Sequence, residues 1–213
     1  MLRRKSLAKP NQTEITSIYN GEIVAGSLLI PESRKIAELL LEGVDKKMWH
    51  RAVVVDNVLQ KRSIATAKRQ AKLIRNRLTL MTSDIWELII NGSSEITTQA
   101  LLAASIKHSR LLGDFMDKVI RDHHRIYNKQ LTQKAWDNYF ELCARIDPVI
   151  DKWSETTKNK LGQVVFRVLA EAKYIDNTKS RLLLPVAVTT EIKKYLVDND
   201  EDYVLRCMEV NQQ

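Results

Sequence analysis

Residues 63–81 read SIATAKRQAKLIRNRLTLM, and this stretch decides the fold class. Ile64, Ala67, Ala71, Ile74, Leu78 and Met81 recur three and four residues apart, the spacing that gathers side chains on one side of an α-helix. Ser63 stands where an N-cap is needed, with a side-chain oxygen that can accept from a backbone N–H the helix leaves unpaired. Lys68, Arg69, Lys72 and Arg75 fan over an arc away from the apolar seam, with Arg77 further round and Lys61 and Arg62 just ahead of the cap. No acidic residue occurs between Asn57 and Ser83, so the face has no carboxylate at four-residue spacing to neutralise it. A helix with one buried and one basic side can lie along a phosphate backbone, where each neutralised phosphate releases counterions.

The same periodicity extends in both directions. Pro31-Glu32 opens a helix through Ile36, Leu39 and Leu40 that Gly43 closes, and a second helix runs from Asp45 to Leu59 through Trp49 and Val53. Beyond the basic stretch come a short helix through Trp86 and Ile90, an Ala- and Leu-rich helix from Ser94 to about Lys107, and a stripe of Leu111, Leu112, Phe115, Met116, Val119 and Ile120. Trp136, Tyr139, Phe140, Cys143 and Ile146 form the next seam, and Ser154 caps a helix carrying Leu161, Val164, Val165, Val168 and Leu169. After Ala172 the pattern changes. Tyr174-Ile175, a polar stretch from Asp176 to Arg181, and Leu182-Leu183-Leu184-Pro185 predict a β-hairpin, followed by a final helix pair from about Thr189. With only 6 Gly and 4 Pro in 213 residues, the fold class is mainly α, a compact multi-helix protein with one small C-terminal β-hairpin.

An internal repeat organises these helices. At an offset of 91 residues, Asp56, Val58, Lys61, Ser63 and Thr66 match Asp147, Val149, Lys152, Ser154 and Thr157, and Ile74 and Leu78 fall against Val165 and Leu169. Each copy reads as a helix end, a short turn and a Ser-capped helix, the order of a helix-turn-helix, so the units are expected to be duplicated and helix-turn-helix-like. The second copy, with the expected hairpin behind it, is similar to winged-helix modules. Paired helices that merely pack would leave the same trace, because Ser-x-x-Thr is common helix-start chemistry. Asn91-Gly92-Ser93 ends a helix, but no low-complexity segment or flexible linker marks a clean domain boundary; the chain is divided into residues 1–92, with the basic unit, and residues 93–213, with the winged unit, a single continuous domain being the alternative. In the second copy Lys152, Lys160 and Arg167 are the candidate contacts, beside Lys61, Arg62, Ser63, Thr66, Lys68, Arg69, Lys72, Arg75 and Arg77 in the first.

Composition narrows the function classes. The net charge of +8 favours polyanionic partners, duplex DNA first and RNA second, or an acidic protein surface. Cys143 and Cys207 are isolated, so neither a disulfide framework nor a zinc site is expected, and the compartment reads as reducing and cytoplasmic. The basic start Leu2-Arg3-Arg4-Lys5 lacks the apolar stretch of a secretion signal, and no apolar run approaches the ~20 residues that span a bilayer. Phosphate-loop, dinucleotide, zinc-protease and nucleophile-elbow motifs are absent, so no catalytic residue, metal or cofactor is expected. His123 and His124 are adjacent rather than at ligand spacing and continue the Val119/Ile120 stripe, which makes them core-edge residues. Trp49, Trp86 and Trp136 fall on apolar stripes and are expected in the core.

Several of these residues carry a resemblance. Ser27-Leu28-Leu29 before the Pro31 helix, Asp56-Asn57-Val58-Leu59 with Ser63-x-x-Thr66-x-Lys68-Arg69, and the Ser154-x-x-Thr157 helix leading to Leu183-Leu184-Pro185 resemble the BrxA family, small proteins of bacterial BREX (bacteriophage exclusion) defence systems. The resemblance runs from about Ile18 to about Leu196. It implies a non-enzymatic, mostly helical protein similar to the antitermination factor NusB, with binding of double-stranded DNA as its expected property and other BREX proteins as partners.

Overall fold

The computed structural model describes residues 17–211, and the basic start at residues 2–5 lies outside them. The described chain is helical: α1 (Ile30–Leu41), α2 (Lys46–His50), α3 (Ile64–Leu78), α4 (Ser83–Asn91), α5 (Ser94–His108), α6 (Arg110–Asp114), α7 (Arg121–Arg125), α8 (Gln133–Ile146), α9 (Glu155–Glu171), α10 (Thr190–Asp198) and α11 (Asp202–Met208). Two 3-10 turns, Glu22–Ala25 and Pro148–Lys152, and two π-turns, Arg51–Val55 and Phe115–Ile120, complete the pattern. Helices begin where capping chemistry allows. The side chains of Asp45, Ser63, Ser93, Thr132 and Ser154 each accept from a first-turn backbone N–H. Pro31 sits in the first turn of α1, and Gly43 follows its end at φ +62°, in the left-handed region. The helix expected from Asp45 to Leu59 stops at Val55, and Asn57 and Gln60 then take left-handed conformations, which turns the chain sharply into α3.

Helix α5 forms the centre. From Thr97 to Ile106 nearly every residue is buried, because α5 packs against α1, α3, α4, α6, α10 and α11. Its polar residues are bonded inside the core: Thr97 Oγ1 donates to the Ile89 carbonyl at 3.1 Å, and Gln99 donates to the Ala187 carbonyl and accepts from the Thr189 N–H. The core runs from Tyr19 to Val210 as one cluster. Its aromatic part gathers Phe115, Trp136, Tyr139, Phe140 and Phe166, with Phe115 5.1 Å from Trp136 and from Tyr139. Gly162 makes this approach possible, since a Cβ there would stand 2.8 Å from Trp136 Nε1. Beside the cluster, buried Asp114 accepts from the Tyr19 and Tyr203 hydroxyls at 2.9 and 2.8 Å and from Lys118 at 3.1 Å.

The expected hairpin is not formed. Among the described residues there is no strand, only isolated antiparallel bridges between Ile175 and Leu183 and between Gln130 and Leu182. The reason lies in the polar stretch. Asp176 accepts from the Asn177 and Leu182 N–H groups, and Asn177 accepts from those of Lys179 and Ser180, so side chains take the bonds a ladder would need. Arg181 adopts φ +53°, and the pairing stops at the two backbone bonds that flank the Ile175–Leu183 bridge, Asp176 to Leu182 and Leu184 to Tyr174, while Leu183 donates to Lys129 on its other edge. The loop is anchored by the Arg181 guanidinium, 3.8 Å over the Phe166 ring. Without a wing, the winged-helix likeness of the second copy falls. Among the described residues no helix is long and apolar enough to cross a membrane, and no cluster of three metal-ligating side chains occurs.

Candidate nucleic-acid interface

The entry to α3 is fixed by local hydrogen bonds. The Asn57 side chain accepts from the Lys61 N–H and donates to the Lys61 carbonyl, both at 3.0 Å, which clamps the turn between α2 and α3. Ser63 then caps the helix, accepting from the Thr66 N–H at 3.2 Å while the two hydroxyls bond at 2.9 Å. From that start Ala67, Ala71, Leu73, Ile74 and Leu78 are buried against the core. The opposite arc carries Lys68, Arg69, Lys72 and Arg75, all exposed, with Arg62 exposed ahead of the cap. Among the described residues, Lys68, Arg69 and Lys72 join no ion pair.

Two expected contacts are placed elsewhere. Arg77 is 3% exposed and donates to the Ser27 and Gly26 carbonyls, so it belongs to the interior and not to the basic face. Burial pushes its guanidinium down to about 10, against the pull of the Glu171 carboxylate. Lys61 is ion-paired with Glu32 of α1, a carboxylate invisible to a search for acids within a few residues. Thr66 is half-buried and its hydroxyl is engaged with Ser63.

A groove between α2 and α3 was not anticipated. It has a volume of about 520 Å³ and is lined by Lys46, Trp49, His50 and Val54 from the α2 side and by Lys68, Lys72 and Arg75 from α3. Trp49, expected in the core, is only half-buried, and the Arg75 guanidinium lies 4.8 Å from its ring centroid. The signal in the sequence was faint: Lys46, Lys47 and His50 surround Trp49, so its stripe is polar at both edges.

The second copy reproduces the cap but not its surroundings. Ser154 accepts from the Thr157 N–H at 3.2 Å and the hydroxyls bond at 2.9 Å, the geometry of Ser63 and Thr66. The matched aspartates diverge: Asp56 is exposed beside Arg51, whereas Asp147 is buried and accepts from Ser17, Ile18, Tyr19 and Val149. Lys152, Lys160 and Arg167 are exposed, and Lys158 is paired with Glu155. The 3-10 turn Glu22–Ala25 touches both α3 and α9. His123 is bonded through its ring to the Val119 carbonyl at 2.8 Å, and burial lowers the pKa of half-buried His124.

Comparison with known proteins covers nearly the whole fold. A relative from Paramagnetospirillum magneticum, the BREX protein BrxA, is 47% identical over 193 residues, 91% of this chain and 97% of that protein. The BREX protein BrxA of Escherichia coli is 35% identical over 83% of each chain. The crystal structure of an uncharacterized protein from Magnetospirillum magneticum matches with a TM-score of 0.85 and 46% identity, over 90% of this chain and 98% of that one. The model of the BrxA family matches residues 17–200, and with these identities it follows that the chain belongs to the BrxA family.

Proposed function

We propose that this chain is a non-enzymatic, cytoplasmic component of a BREX phage-defence system that binds double-stranded DNA with little sequence preference. The observation that carries the reading is the arc of Lys68, Arg69 and Lys72, exposed and unpaired among the described residues, on a helix whose other side is locked into the core. Flanked by Arg62 and Arg75, these side chains meet phosphates at the spacing of one helical face. Phosphate contacts position a protein without reading bases, which accounts for low specificity. The α2–turn–α3 unit docks in this reading with α3 along the duplex, and Lys152, Lys160 and Arg167 form a second, smaller contact set. The BREX assignment rests on the relatives, which are BREX proteins.

Fluorescence anisotropy with a labelled random-sequence duplex tests it. Five phosphate contacts give a log–log salt slope of roughly −4 to −5, a loss of several hundredfold in affinity between about 50 and 200 mM salt. An Arg69→Glu/Lys72→Glu variant should lose most of the affinity and flatten the slope by about 2. Structured RNA that outcompetes the duplex would move the assignment to RNA. A wild type that binds neither, yet captures an acidic protein of the system through these residues after nuclease treatment, would replace it with a protein interface.

A further inference from the structure

The groove between α2 and α3 differs chemically from the convex arc beside it. We infer that it is a binding site for an unpaired nucleotide of a DNA strand, an assignment that rests on the nucleic-acid reading of α3 and specifies its ligand further. The walls are cationic, with Lys46 on one side and Lys68, Lys72 and Arg75 on the other. The floor is apolar, formed by the buried Val53 and Ala71 and the half-buried Trp49 and Val54. Phosphates satisfy the walls, but a paired duplex offers nothing flat and apolar to the floor, because its base faces are stacked inside the helix. An unpaired base has such a face, and aromatic rings and guanidinium planes are the surfaces on which unpaired bases stack. Trp49 and Arg75 already lie against one another at 4.8 Å, so the pair is assembled before a ligand arrives. At about 520 Å³ the groove falls in the range of small-ligand clefts, roughly 300–1,000 Å³.

The test compares a blunt duplex with the same duplex bearing a short single-stranded tail, at matched salt, for the wild type, Trp49→Ala and Trp49→Phe. One stacked base is worth roughly tenfold in affinity. The tail should strengthen wild-type binding by about that factor, Trp49→Ala should erase the gain and leave blunt-duplex affinity within about twofold, and Trp49→Phe should keep most of it. A second readout does not depend on the alanine variant folding: an oligothymidylate should quench wild-type tryptophan emission, and Trp49→Phe, with the other Trp residues intact, should lose that quenching. Equal binding of blunt and tailed duplex by the wild type, or quenching unchanged in Trp49→Phe, overturns the groove assignment alone. Absence of binding to either duplex overturns the broader nucleic-acid reading with it. Full competition by a free nucleoside monophosphate at equal nucleotide concentration would overturn the assignment to a strand.

Discussion

Replacing Arg77 by methionine should damage the fold and spare binding. Its guanidinium is buried and donates to the Ser27 carbonyl and, at 3.0 Å, to that of Gly26, which holds the segment before α1 against α3. Methionine fills much of the same volume but donates nothing, so the buried Ser27 carbonyl and the partly buried Gly26 carbonyl lose their partners, at about 1–3 kcal/mol each with the second toward the low end. Part of that is recovered because a charge no longer has to be desolvated. The net expectation is a loss of about 3 kcal/mol, read by urea unfolding as a midpoint drop of about 1.5 M at a slope near 2 kcal/mol per M. Glu171 sharpens the case, since its carboxylate accepts from Ser27 Oγ and the Leu28 N–H on the other side of the same segment. In the folded fraction, duplex affinity should stay within about twofold of the wild type, unlike that of Arg69→Glu/Lys72→Glu. A variant as stable as the wild type that has lost DNA affinity would refute the reasoning and return Arg77 to the interface.

Two further outcomes follow from the core. Gly162→Ala places a methyl group 2.8 Å from Trp136 Nε1, and Trp136 is held within the aromatic cluster, so about 1–3 kcal/mol of stability should be lost in thermal or urea unfolding; a loss under about 0.5 kcal/mol would show that the cluster yields. Burial works against the Asp114 carboxylate, but hydrogen bonds from Tyr203, Lys118 and Tyr19 hold its pKa below the ordinary carboxylate range. A depressed folded value adds stability that is complete above the unfolded pKa and disappears as pH falls through the folded one. Asp114→Asn should therefore be less stable than the wild type at neutral pH, with the gap closing in acid, and a gap independent of pH would contradict the assignment.

The mainly helical fold was legible because burial repeats faithfully along the chain. Ala67, Ala71, Ile74, Leu78 and Met81 lie inside as their spacing requires, and Ser63 and Ser154 cap as expected. Ile64 is the exception on that seam, 56% exposed, since the first turn of α3 overhangs the core. Arg77 was readable in principle. It stands three residues after Ile74 and four before Met81, at the margin of the seam, where a long side chain turns inward if carbonyls await it. The Lys61–Glu32 pair could not be read, because the partners are 29 residues apart and only the packing of α1 on α3 joins them. The hairpin failed for a local reason: apolar runs on both sides of a polar stretch look alike whether the turn is closed by a ladder or by Asp176 and Asn177 side chains.

The π-turn Phe115–Ile120 acts as a single extra residue wedged between α6 and α7, whereas Arg51–Val55 widens the last turn of its helix before the chain leaves it. One residue is worth about 100° of rotation, so everything past the wedge is out of phase with what precedes it. At Arg51–Val55 the widened turn lies between Trp49 and the turn clamped by Asn57, and Trp49, Val53 and Val54 all line the groove opposite the α3 cations. Just past the second, the His123 ring bonds to the Val119 carbonyl. Deleting one residue from Phe115–Ile120 would restore an ordinary helix and, in doing so, swing everything past it by about 100° relative to the buried Phe115 and Met116.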